Sequence, residues 1–399
     1  MKKIPALDLA RRGCRRFVPV ALSLVLLSAV AADEDPAPCV QTIPTGESVQ
    51  AAIDAAEDGA VLCLAPGVYR ENLVITHPVT LRGTGDTAAD VEIKGASKYD
   101  PGVLVLNPDG SDDPFTVTVE NLTLSNRYPM KRHGVEVEGT AGIILRDAVV
   151  VGSEAYGLVL RDEATAEIVS TSILETELGV SFGDSSRATL RDSVVRDSSV
   201  KISGSAVVSV NGCDLSGNDL SVSGSATLDV SDSTLDRCRD PRILANAQVS
   251  FANCSFWRLV SAIHVLGSAH LRLEDCTLTE CRGGNPNHCT GLELMESASA
   301  EVVRCIFADN EDTSIQLRGS ATLNLRDSQI LRSRELGLMT FCVDCAGLIW
   351  SASDVRYFAE AEVFVGWVTG SGNVIPEPGE PDANLLGDVC PESLRYLKD

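Results

Sequence analysis

Aromatic residues are scarce in this chain: Phe, Trp and Tyr make up 5% of its 399 residues, and only three are Trp. A long face for stacking sugar rings is therefore not built in, because such faces rest on exposed aromatic side chains. Positive charge is scarce too, with 33 Lys and Arg against 56 Asp and Glu and a formal net charge of −23. A field of that sign repels nucleic acid and anionic membrane surfaces, so neither is a partner class here. Long apolar runs are also missing. The longest, Phe17 to Ala32, falls short of the roughly 20 residues a spanning helix needs, and no stable membrane anchor is expected.

That short run follows a basic stretch holding Lys2, Lys3, Arg11, Arg12, Arg15 and Arg16, and it ends in Ala29-Val30-Ala31. The pattern is that of a secretory signal peptide over residues 1–32, which places the mature protein outside the cell or in the periplasm. Removing residues 1–31, with six Lys or Arg and one Asp, takes the net charge from −23 to −28. Of thirteen cysteines, Cys14 leaves with the signal, and an even number in an oxidising compartment invites disulfides.

What the chain has in abundance is repetition. In "SGSAVVSVNGCDLSGNDLSVSGSATLDVSDSTL", residues 203–235, Gly204-Ser205-Ala206 returns as Gly224-Ser225-Ala226. A period of that size marks a solenoid, in which a repeat buries its apolar face only when a neighbour stacks on it. A row of small residues sets the register: Ala148, Thr171, Ser193, Cys213, Ser233, Cys254, Cys276, Cys305, Ser328 and Ser353, at steps of 20 to 29 residues. Three positions before and two after each stands a large apolar residue, such as Val210 and Leu215 around Cys213. Seven before, the residue is always Ala or Ser. This is period-two alternation, which means strands.

A second strand in each repeat opens on an apolar pair, as in Val135/Val137, Leu158/Leu160 and Ile263/Val265. Short strands joined by Gly, Asn, Asp and Ser turns make one coil, and stacked coils make parallel sheets. The expected fold is all-β, a right-handed parallel β-helix over residues 61–370 of about a dozen rungs, some 50 to 60 Å long at about 4.8 Å per rung. A leucine-rich-repeat horseshoe is disfavoured, since its L-x-x-L-x-L-x-x-N signature and its helical stretches are missing. "GESVQAAIDAAEDG", residues 46–59, reads as a short amphipathic helix with Val49, Ile53 and Ala56 on one face, within an N-terminal segment over 33–60 that caps the first coil. Residues 371–399 turn Pro-rich and irregular, an expected tail.

Residues 48–86 carry "QAAIDAA", then "PGVYRENLVI", then "VTLRG". With the repeats, this resembles the pectin-lyase-like superfamily of right-handed parallel β-helices over about residues 43–370. The resemblance implies the fold and not a reaction, because that superfamily holds lyases, hydrolases, esterases and non-enzymes. The chain departs from the superfamily's active sites. It has no Gln-Asp-Thr segment as in the methylesterases, no Gly-His-Gly as in the polygalacturonases, and "CRDPR" at 238–242 lacks the spacing of the pectate lyase Arg-x-Pro-x-x-Arg.

Ligands of such folds are expected along the outer face of one sheet. The register predicts an outward row Glu136, Val159, Ser181, Lys201, Ser221, Leu244, His264, Glu293, Gln316, and two residues on, Glu138, Arg161, Gly183, Ser203, Ser223, Asn246, Leu266, Met295, Arg318. Two candidate catalytic clusters follow. The first is Glu136 and Glu138, about 6.6 Å apart by strand geometry and overlapping the inverting-glycosidase range, with Arg161 and the loop residues Lys131, Arg132 and His133 as ligand-binding groups. The second is His264 beside Glu293, a general acid/base pair, with Gln316 and Arg318 beyond. Lys201 joins the ligand-binding set. A solvated strand face would carry the same residues. "NPDGSDDP" puts Asp109, Asp112 and Asp113 in a Gly-containing loop whose oxygen-rich composition suits calcium, and no other cofactor is expected.

The cysteines divide by register. Cys213, Cys254, Cys276 and Cys305 fall in the inward small-residue row, where they pack as small apolar groups. Cys39 with Cys63, and Cys281 with Cys289, are the expected disulfides. Cys342-Val-Asp-Cys345 is a lone C-x-x-C, open between a disulfide, two free thiols and a soft-metal site with Cys281, His288 and Cys289. The expected function is binding of an extended ligand, a polysaccharide, on the outer face, with a polysaccharide lyase or glycoside hydrolase and a non-catalytic scaffold as alternatives. Oligomeric state is not legible.

Overall fold

The computed structural model describes residues 37–97, 100–107, 113–126, 133–282, 290–311, 313–331, 338–341 and 367–369. The chain divides into two compact units, Met1–Pro38 and Cys39–Asp399. Almost everything described belongs to the second.

That unit is a stack of coils whose strands pair in parallel with the strands one rung before and after. They form a first face of 14 strands, a second of 12, and a third in pieces of six and four strands. Bridges from Val194 through Asp214 and Thr234 to Ser255 join the two pieces of the third face. The architecture is a right-handed parallel β-helix, as expected.

The register is the one the small-residue row predicts. On the first face Leu228 pairs with Val208 on one side and Val249 on the other. The Ala or Ser seven before the reference row, from Ala141 to Ala321, is fully buried at every rung, because the inner corner leaves no room beyond a methyl or hydroxymethyl group. The large apolar rows fill the remaining interior, so one continuous core runs the length of the stack.

Each rung turns three corners, and residues at positive φ recur at all three. At one of them the residue immediately precedes the reference row: Asp147, Asp192, Asp232 and Asn253 have φ of 50°, 49°, 50° and 54°. Asp and Asn dominate there because their short polar side chains tolerate the left-handed region. At another corner stand Gly204 and Gly224, at φ +69° and +75°, and a Cβ on Gly224 would sit 2.6 Å from Gly204 O. The repeated Gly-Ser-Ala therefore marks a tight corner followed by the buried alanine row.

The first coil is plugged by the helix Val49–Ala55. Ser48 caps it, its hydroxyl accepting from Ala51 N at 3.1 Å. Glu71, from the coil beneath, accepts from Val49 N at 2.8 Å and Gln50 N at 3.1 Å, which satisfies the first exposed amides. Val49, Ala52 and Ile53 are buried against the core, with Ala56 packed beside them. Among the described residues no helix is long and apolar enough to cross a membrane.

Cys39 and Cys63 form the expected disulfide, with Cα atoms 5.7 Å apart. Cys281 is disulfide-bonded as well. Cys289, its expected partner, lies outside the described residues, as do His288, Cys342 and Cys345. Cys213, Cys254, Cys276 and Cys305 are free and buried in the reference row, and Cys238, to which the repeats assigned no role, is free and buried too.

Candidate functional site

The second face carries the candidate residues, because its strands are only two to four residues long and each contributes one side chain to a single outward row. That side chain always stands five residues before the buried Ala or Ser: Glu136 before Ala141, Lys201 before Ala206, His264 before Ala269. The same offset from Ala247 gives Arg242. The pairing agrees, with Ser221 beside Arg242 and Arg242 beside His264. The expected Leu244 is thus displaced by Arg242. Pro241 interrupts the apolar pair that marks this strand in other rungs, and only the five-residue offset would have recovered the register.

The first cluster forms around Arg161. Its Nε donates to Glu136 Oε1 at 2.6 Å and lies 3.6 Å from Glu138 Oε1. Both carboxylates bend toward one guanidinium, so Glu136 Oε1 and Glu138 Oε1 come closer than the roughly 6.6 Å that strand spacing alone gives. Burial, then the charge of Glu136, holds the Glu138 carboxyl above the ordinary carboxylate range, against the opposing pull of Arg161. His133, expected beside this cluster, has its ring 5.6 Å from that of Tyr156. Lys131 and Arg132 lie outside the described residues.

The second cluster is larger than the sequence suggested. His264 Nδ1 lies 2.8 Å from Glu293 Oε2, one rung on, and Glu293 Oε1 receives Arg318 Nε at 2.9 Å. The Gln316 amide, oriented to suit its neighbours, donates to Glu293 Oε1 at 3.2 Å and accepts from Arg318. On the other side of the ring, Ser261 Oγ sits 2.9 Å from His264 Nε2, and Asp240 Oδ1 is 3.8 Å from the same nitrogen. Arg242 pairs with Asp240. Sequence reasoning missed Asp240, Arg242 and Ser261. Ser261 lies in a bend outside the alternating strands, where no periodicity marks it.

The two clusters share one construction. Carboxylates lie low against the sheet, with the Glu136 and Glu293 side chains 11% and 9% exposed, while Arg161 and Arg318 are about half exposed above them. Lys201 is exposed in the same row between them. Asp113 is described, but Asp109 and Asp112 are not; among the described residues no group of three His, Cys, Asp or Glu side chains is placed to hold a metal.

The family model for the right-handed beta helix region matches residues 79–237 and 242–354, more than half of the chain. The chain belongs to this family. No curated protein matches the right-handed β-helix chain by sequence. Among solved structures it is similar to tailspike protein 3 of bacteriophage CBA120, at 12% identity and a TM-score of 0.41, covering 85% of this chain and 60% of that one. It is similar to the catalytic unit of a GH87 alpha-1,3-glucanase from Streptomyces thermodiastaticus strain HF3-3, at 14% identity and a TM-score of 0.37, over 82% of this chain and 65% of that one. It is also similar to an alginate lyase from Paenibacillus sp. str. FPU-7, at 13% identity and a TM-score of 0.38, over 68% and 94%. The β-helix spans less than two thirds of the glucanase unit and of the tailspike.

Proposed function

We propose that this β-helix is a secreted or periplasmic protein that binds an extended polysaccharide along the outer row of its second face. One observation carries the reading. From Glu136 to Gln316 a single row of eight steps holds Ser181, Lys201, Ser221, Arg242 and His264 in register, so polar groups recur over about 38 Å at about 4.8 Å per rung. A regular polymer of hydroxyl and carboxylate groups matches such a row, and half-exposed guanidinium groups offer it forked donors. The scarcity of aromatic rings points to a polar groove. The acidic character of the rest of the chain means that binding draws on these local cations and not on overall charge.

The test is binding of residues 33–399 to a panel of neutral and acidic polysaccharides by calorimetry, with and without calcium. Saturable binding that weakens when Lys201 and Arg318 are both replaced by Ala supports the reading. Absence of binding to every polymer overturns it in favour of a scaffold. A second reading, cleavage of the polymer, is favoured by the Glu138 carboxyl, which retains its proton beyond the ordinary range beside the Arg161-bound Glu136 and so has the character of a general acid. Shortening of the bound polymer by the native protein, and none by Glu138→Gln, would establish that reading.

A further inference from the structure

Ser261, His264 and Glu293 stand in the order that nucleophilic catalysis requires. Ser261 Oγ is 2.9 Å from His264 Nε2, and the other ring nitrogen, Nδ1, is 2.8 Å from Glu293 Oε2. The serine is half-buried, the His264 side chain 22% exposed and the Glu293 side chain 9% exposed, so access falls from nucleophile to orienting acid. Glu293 is itself fixed by Arg318 at its second oxygen. The Nδ1 contact is short but lies off the N–H direction, an alignment that catalytic hydrogen bonds often improve only with substrate bound. The strands set this geometry: His264 and Glu293 are direct partners across neighbouring rungs, and Ser261 lies in the bend that enters the strand Ile263–Val265.

A second feature points the same way. The backbone N–H groups of Ser261 and Ala262 have no acceptor among the described residues. The amide of the residue after a nucleophilic serine is a recurring oxyanion donor, and an N–H left without a partner at that position is available for developing negative charge. Val260, which immediately precedes the serine, is among the few large apolar residues exposed among the described residues, at 36%. It offers an apolar surface for a short acyl group.

We infer that Ser261, His264 and Glu293 form a serine-nucleophile site that hydrolyses short-chain carboxylic esters carried on the hydroxyls of a polar polymer. Ser261 Oγ bonds to the ester carbonyl carbon while its proton passes to His264 Nε2. Glu293 holds the Nδ1 proton and stabilises the imidazolium, and Asp240 adds a nearby negative charge. The carbonyl–alkoxy bond then breaks, and His264 returns the proton to the departing alcohol. Water attacks the acyl-serine, giving one proton to His264 and releasing the carboxylic acid as Ser261 regains its hydrogen. The choice of a polymer-borne ester rests on the binding reading above; the serine chemistry does not.

The test uses residues 33–399 with a fluorophosphonate probe, 4-nitrophenyl acetate and an O-acetylated polysaccharide. The expected result is covalent labelling at Ser261, located by mass spectrometry, with saturable ester hydrolysis that drops about 1000-fold or more in Ser261→Ala and in His264→Gln. Ser261→Ala removes only an oxygen from a half-buried bend, and its circular dichroism spectrum should match that of the native protein. Absence of label at Ser261 together with equal hydrolysis by Ser261→Ala overturns the site. Turnover of 4-nitrophenyl acetate without acetate release or binding from any polymer would uphold the chemistry and overturn the polymer substrate.

Discussion

The backbone N–H of Thr171 donates to Ser193 Oγ, one rung along, at 3.1 Å, and that hydroxyl donates in turn to Arg191 O at 2.7 Å. The relation recurs down the stack. Cys213 N donates to Ser233 Oγ and Cys305 N to Ser328 Oγ, both at 3.0 Å, and Cys276 N to Cys305 Sγ at 3.4 Å. Each side chain also reaches the carbonyl two residues before it, as Cys213 Sγ does to Asn211 O at 3.3 Å. The reference row is therefore more than a packing row. It joins coils at a corner where left-handed residues interrupt the ladder and would leave amides buried without acceptors.

Ser193→Ala should cost about 1 to 3 kcal/mol, since it strands the buried Thr171 amide. Ser193→Cys should recover much of the loss, because a thiol serves the same role elsewhere in the row. Urea unfolding of the two variants beside the native protein measures both.

Ser186 presents the opposite case. It stands in the alanine row, fully buried, and its hydroxyl has no hydrogen-bond partner. Ser186→Ala should stabilise the protein by about 1 kcal/mol, since it removes a desolvated polar group without opening a cavity. A lower midpoint in urea would refute this account of the corner.

Glu138 makes stability depend on pH in a definite sense. Its folded pKa is raised above the unfolded value, so between the two the native state binds more protons than the unfolded chain. Its favourable contribution is complete below the unfolded value and is lost as pH rises through the folded one. Glu138→Gln should therefore raise the melting temperature relative to the native protein at pH 7 and leave the difference near zero at pH 3. The side chain is 39% exposed, so screening keeps the effect to a few degrees at most. Equal shifts at both pH values would contradict it.

The thiols of Cys213 and Cys238 should be silent in the folded protein. Burial pushes the Cys213 thiol up and the Cys238 thiol up to about 12, and the thiolate is the reactive form. A thiol reagent at pH 8 should modify Cys213 and Cys238 only after denaturant is added, at a rate that tracks unfolding. Fast labelling of Cys238 in the native state would show that the corner opens.

The sequence by itself determined the rungs. The period, the alternation and the inward rows are local properties, since a strand's side chains alternate whatever lies beyond them, and stacking identical coils leaves one register that buries every large apolar residue. Glu136, His264 and Glu293 were legible as outward for the same reason. Tertiary structure decided what those residues do to one another. Arg161 draws two carboxylates together that strand spacing holds apart, Arg242 takes the outward position expected of Leu244, and Ser261 reaches His264 from a bend with no period. Side-chain direction beyond Cβ, and the path of an irregular corner, depend on neighbours one rung away, whose identity no repeat length encodes.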